Sequence, residues 1–148
     1  MGDFCTLKET VRDYLNRTET SGLRQLVPIL WEEIRASAMR WGNQEDPAIV
    51  HVLKWFEDPK PIHDQAEMDC LVEDPSCHFG RDPQCLCTAV LEVLRLEHGG
   101  ISDRYRESDI RDATSNCVQV VTLCCFNLGD EETEDLLDRL TTEINALP

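Results

Sequence analysis

The stretch Asp82-Pro83-Gln84-Cys85-Leu86-Cys87-Thr88-Ala89-Val90-Leu91-Glu92-Val93-Leu94-Arg95-Leu96 decides the fold class of this chain. Asp82-Pro83 is a helix start: an aspartate able to accept from orphan N–H groups, then a proline where its missing N–H is not needed. The apolar residues that follow fall on most sides of a 3.6-residue helix, and a helix apolar nearly all round is buried in a core. Thr88, Glu92 and Arg95 interrupt the run, which is too short and too charged to span a bilayer. It ends at Gly99-Gly100. The expectation is a central hydrophobic helix wrapped by others.

Working outward, helical spacing recurs and strand-like alternation does not. A first helix is expected from near Thr6, with Glu9 as capping-box partner and a stripe of Leu7, Val11, Tyr14 and Leu15. A second follows Ser21-Gly22 and runs to Trp41, carrying Leu23, Leu26, Val27, Leu30, Ile34 and Met39; Pro28 should kink it or mark a late start. Asp46-Pro47 opens a third, with Ile49, Val52, Leu53 and Phe56 on one face. A short fourth, about Gln65 to Glu73, places Met68, Leu71 and Val72 together. The Asp82-Pro83 helix is the fifth. A sixth opens near Ser108 and is apolar from Cys117 to Phe126; Asp130 caps a seventh with Leu136, Leu137, Leu140 and Ile144. The chain thus reads as one all-α domain over residues 1–148, about seven helices around a hydrophobic one.

Composition bounds the function. The 148 residues carry a net charge of −15, and 41% of them are hydrophobic, enough to build a core. Residues 1–60 hold 8 basic and 10 acidic side chains, residues 61–148 hold 6 and 19, so the acidity is concentrated in the second part. Such a surface repels phosphate backbones and anionic lipid, and favours a basic peptide or helix as partner over nucleic acid. No secretion signal and no tail anchor are visible, which leads to the expectation of a soluble intracellular protein without a transmembrane anchor. Met1-Gly2-Asp3-Phe4-Cys5-Thr6 fits the loose myristoylation pattern, but no polybasic patch accompanies it, and one acyl chain anchors only marginally.

Eight cysteines in a reducing compartment are read as free thiols. Cys70, Cys77, His78, Cys85 and Cys87 lie close together, yet no Cys-x-x-Cys pair occurs, and residues two apart on a helix point to different faces. Cys117, Cys124 and Cys125 read as small apolar side chains in a buried helix. No metal or cofactor is expected. Nor is an enzyme: there is no phosphate loop, nucleophile elbow or His-Glu-x-x-His, and His51, His63, His78 and His98 form no ligand spacing. Paired acids such as Glu32-Glu33 and Glu131-Glu132 read as solvated faces or helix-start charges.

One segment points to a function. Glu73-Asp74-Pro75-Ser76-Cys77-His78-Phe79-Gly80-Arg81 immediately precedes the hydrophobic helix. It resembles the first Bcl-homology motif of the B-cell-lymphoma-2 (Bcl-2) family of apoptosis regulators, where an acidic residue leads into Asn-Trp-Gly-Arg at the start of the buried central helix. Here the tetrapeptide is His78-Phe79-Gly80-Arg81. Thr10-Val11-Arg12-Asp13-Tyr14-Leu15 is similar to the family's N-terminal helix, and the order of helices around the motif matches its layout. Two features depart from it. Asn127-Leu128-Gly129-Asp130-Glu131 stands where a Gly-Gly-Trp second motif would lie, and the second helix lacks the Leu-x-x-x-Gly-Asp death-ligand signature.

The resemblance implies a pro-survival, anti-apoptotic member of short viral type. It would be cytoplasmic or peripheral to mitochondria, and would hold the BH3 helix of a pro-apoptotic protein in a surface groove. It further implies that Arg81 pairs with the ligand aspartate, that Gly80 allows close backbone approach beside His78, and that Met68, Leu71, Val72, Val52 and Phe56 line the groove. For each apolar residue an ordinary core role is an equal alternative, and for Arg81 an ion pair with Asp74 or Asp82. A homodimer with the groove covered by a second copy is compatible with the same reading. Two other classes stay open: a different helical interaction module, such as a viral accessory protein or signalling adaptor, and a zinc-stabilised helical domain.

Overall fold

The computed structural model describes residues 2–40, 88–89, 92–93, 95–97, 99–125 and 128–148. Among these, 84% are helical and none lies in a strand, so the described part of the chain is all-α as expected. Three helices are described in full: α1 (Phe4–Arg40), α2 (Arg106–Cys124) and α3 (Asp130–Asn145). Before α2, the described residues between 88 and 97 are also helical. The expected third and fourth helices and the start of the fifth lie outside the described residues.

Within α1 the expected first and second helices meet at one non-helical residue, Glu19, with φ 59° and ψ −137°. The break therefore falls two residues before Ser21-Gly22, and two arms, residues 4–18 and 20–40, run from it. Pro28 does not delay the start of the second arm: it is exposed, and helical backbone continues on both sides. A proline on the wet side lets water reach the carbonyl whose N–H partner is missing, so its cost is reduced.

The helix starts differ from expectation in an instructive way. α1 is capped not at Thr6 but by Asp3, whose Oδ1 accepts from Thr6 N–H at 2.6 Å. α2 begins at Arg106 after an uncapped Tyr105, and Asp109 reaches back to accept from Ser102 N–H (2.9 Å) and Ser102 Oγ (2.7 Å). α3 follows Gly129, which makes Asp130 its first helical residue and not its cap; Asp130, Glu131 and Glu132 sit on the positive end of the helix dipole. Asp3 is held below its ordinary pKa chiefly by the Thr6 N–H, and Asp109 by the Ser102 N–H and hydroxyl. A depressed carboxylate stabilises the fold fully above its unfolded pKa, and that contribution is lost as pH falls through the folded value. Asp3→Asn and Asp109→Asn keep an acceptor but cannot titrate. Each is expected to flatten part of the acid fall in Tm below about pH 4, as read by circular dichroism. An acid limb unchanged in both variants would place the titrating groups elsewhere.

The core forms where α1's arms meet α2 and α3. Leu7, Val11, Tyr14 and Leu15 from the first arm join Leu26, Leu30 and Ile34 from the second, all 4% exposed or less. Opposite them lie Cys117, Val120 and Val121 of α2 and Leu137, Leu140 and Ile144 of α3. At this junction a void of only about 10 Å³ remains, lined by apolar side chains including Leu7, Leu26, Val121 and Leu140. With no polar partner to offer, it stays dry. Tyr14 spans the two arms, its hydroxyl donating to Gln25 Oε1 at 3.3 Å.

The helical residues before α2 add Ala89, Val93 and Leu96 to the same core, spaced four and three apart. This helix is not enclosed on every side. Arg95 is exposed and pairs with Glu92 at 2.8 Å, so it keeps a wet edge.

Candidate functional site

The residues expected to form a ligand groove, Val52, Phe56, Met68, Leu71, Val72, His78, Gly80 and Arg81, all lie outside the described residues. What the structure does place is a polar cluster at the end of α1. Leu26, Leu30, Glu33 and Ser37 follow one another at spacings of four, three and four, so all four share one face of the second arm. The first two are core leucines. Glu33 and Ser37 continue the same face and are buried as well, at 2% and 0% exposure.

Glu33 was expected on a solvated face together with Glu32, and the structure corrects this: Glu32 is exposed, Glu33 is not. Arg139 of α3 reaches in to pair through Nη2 with Glu33 Oε1, while its Nη1 lies 3.8 Å from Glu143. Glu33 Oε2 is buried without a hydrogen-bond partner among the described residues. Arg40, one turn beyond Ser37, donates from Nη2 to Ser37 Oγ (2.8 Å) and to the Cys124 carbonyl (3.3 Å). That carbonyl belongs to the last turn of α2, the negative end of its dipole, where a cation is favoured. Between Arg40, Leu128, Leu136 and Arg139 opens a shallow cleft of about 420 Å³, with Glu132 and Asp135 on its rim.

The cluster therefore ties the end of α1 to the end of α2 and to the middle of α3. The signal in the sequence was register: Glu33 falls on the leucine stripe, and an acid there needs a cation from another helix.

Cysteine chemistry in this region is muted. Burial pushes the Cys117 and Cys124 thiols up to about 12 and Cys125 up to about 11; for Cys124 a hydrogen bond with Ser37 acts weakly in the opposite sense. These thiols stay protonated at neutral pH, and a protonated thiol is a poor nucleophile and metal ligand. Among the described residues no group of three or more His, Cys, Asp or Glu is arranged to hold a metal ion. Likewise, no helix among them is long and apolar enough to cross a membrane. In alkylation of the native protein followed by peptide mass spectrometry, exposed Cys5 is expected to react at once. Cys117, Cys124 and Cys125 should react only as fast as the chain opens. Equal rates at all four would contradict the burial of α2.

Comparison with protein families, with curated proteins and with solved structures returns no match for this chain.

Proposed function

We propose that this protein is a pro-survival Bcl-2-like domain, a bundle of about seven helices around a central hydrophobic one, that sequesters the BH3 helix of pro-apoptotic proteins in a surface groove. The observation that carries the reading is the segment Glu73 to Arg81, which precedes in sequence the helical residues Ala89, Val93 and Leu96, all buried in the core. Recognition of an amphipathic ligand helix needs apolar pockets for its i, i+3 and i+4 residues and one fixed charge to set register, the part proposed for Arg81. The first arm of α1 supports it, since Val11, Tyr14 and Leu15 of the similar N-terminal segment are core residues while Arg12 and Asp13 face solvent. The excess of acid over base, −15 overall, suits a basic ligand and speeds its approach.

Isothermal calorimetry against a panel of BH3 helix peptides tests the reading. Saturable one-to-one binding of at least one peptide, abolished when its aspartate and apolar anchors are replaced, is the expected result. A folded protein that binds none of the panel defeats it in favour of another helical interaction module.

A further inference from the structure

We propose that α1 has two states: folded back at Glu19 in the single chain, and straightened in a dimer in which each copy lends its first arm to the other. The inference stands on the geometry of α1 and does not depend on the proposed ligand.

Glu19 is the only non-glycine residue with positive φ among those described, and its φ 59° and ψ −137° belong to a region that glycine visits and L side chains avoid. No loop separates the two arms. One strained residue makes the whole reversal, and short hinges under strain are where chain exchange is favoured.

The neighbouring glycine is used differently. Gly22 supplies not a special φ but space: a Cβ there would collide with Thr18 Oγ1 and stand 2.5 Å from Thr18 Cβ. In a continuous helix the Cβ atoms of residues four apart are about 5–6 Å from each other, so this collision exists only in the bent form. Gly22 is a gate that permits the bend.

Straightening would cost little elsewhere. The first arm is held by Leu7, Val11, Tyr14 and Leu15 against the second arm, α2 and α3, and an identical chain offers the same surfaces to receive it. What is lost is a latch at the hinge. Arg106 Nη2 donates to the Asn16 carbonyl (2.6 Å) and pairs with Glu19 at 3.2 Å. Thr20 Oγ1 accepts from Ile101 N–H at 2.8 Å. The ion pair is about half exposed on both sides and therefore weak. Against it stands the relief of Glu19, roughly 5- to 150-fold in the equilibrium for each hinge straightened. The segment Thr18-Glu19-Thr20-Ser21-Gly22 is poor in helix formers, which keeps the straight form from winning outright.

Two substitutions three residues apart should act in opposite directions. Gly22→Ala blocks the bend and favours continuous helix; it is expected to raise the dimerisation constant at least about tenfold, measured by size exclusion with light scattering across a concentration series. Glu19→Gly relaxes the bend and should lower it by a comparable factor.

Exchange is distinguished from side-by-side association by the distance between paramagnetic labels on unnatural amino acids at exposed positions 9 and 32, in labelled chains diluted with unlabelled ones. In a straight helix that distance is about 35 Å, 23 residues at about 1.5 Å each, and it should appear only in the dimer. Should Gly22→Ala fail to fold, Arg106→Ala, which removes the latch without touching either arm's buried stripe, reads the same equilibrium. A folded Gly22→Ala or Arg106→Ala protein that stays monomeric throughout, or a dimer in which the distance remains that of the hairpin, overturns the proposal.

Discussion

Arg81→Ala is expected to weaken binding of a BH3 helix by about thirtyfold or more, a loss of roughly 2–5 kcal/mol, while leaving the fold almost untouched. The physical reason is asymmetry. When a ligand carboxylate is buried against a guanidinium, truncating the arginine removes the attraction and also leaves the carboxylate desolvated without a partner. An arginine engaged only with neighbouring Asp74 or Asp82 in water contributes at most about 1 kcal/mol to stability. Thermal melts of wild type and variant should therefore nearly coincide while the calorimetric affinities separate. Replacing the ligand aspartate should cost a similar amount, and little further in the Arg81→Ala background, because two groups that act through each other cannot be lost twice. If both single changes leave binding intact in a folded protein, Arg81 serves only as an ion-pair partner and the resemblance of His78-Phe79-Gly80-Arg81 is accidental.

Much of the helical frame was legible because the core selects by period. The stripes Leu7-Val11-Tyr14-Leu15, Leu23-Leu26-Val27-Leu30-Ile34 and Leu136-Leu137-Leu140-Ile144 follow helical spacing and are buried throughout, whereas Met39, expected on the second stripe, is exposed. The apolar run from Cys117 likewise marked the buried end of α2. Helix ends were harder to read, since several neighbouring residues can satisfy the same orphan N–H groups. Thr6 and Asp3 are both capable caps, and the ionised carboxylate makes the stronger hydrogen bond.

The hinge was misplaced for a different reason. Ser21-Gly22 signals a turn through the conformational freedom of glycine, but here Gly22 is needed for close packing against Thr18, and the positive φ falls on a glutamate that no sequence rule would choose. The site divides in the same way. Composition and spacing speak to where a chain is apolar, so the Glu32-Glu33 pair looked like a solvated face, although its second member lies in register with Leu26 and Leu30. The cation supplied from α3, 106 residues away, makes that burial tolerable.

Arg139→Ala is accordingly expected to destabilise the fold by about 2–3 kcal/mol, although the side chain removed is itself half exposed. Losing one partner of a fully buried pair costs roughly 3–5 kcal/mol, because the remaining charge is stranded. The smaller figure applies here since the Arg139 side chain is 51% exposed and water can partly take its place, whereas the Glu33 side chain is 3% exposed and cannot reach solvent without disturbing the leucines beside it. The reverse truncation should behave differently. Glu33→Met removes the buried charge and the unpartnered Oε2 together, fills similar volume with apolar atoms, and frees Arg139 to turn toward Glu143 and water; its cost should stay within about 1 kcal/mol. Combining the two should recover most of what Arg139→Ala loses, a coupling of opposite sign to the simple sum. Urea denaturation reads all three variants as shifts in midpoint at constant slope. If Arg139→Ala proves neutral while Glu33→Met is costly, Glu33 is held by something other than Arg139, and the tie between α1 and α3 does not run through this pair.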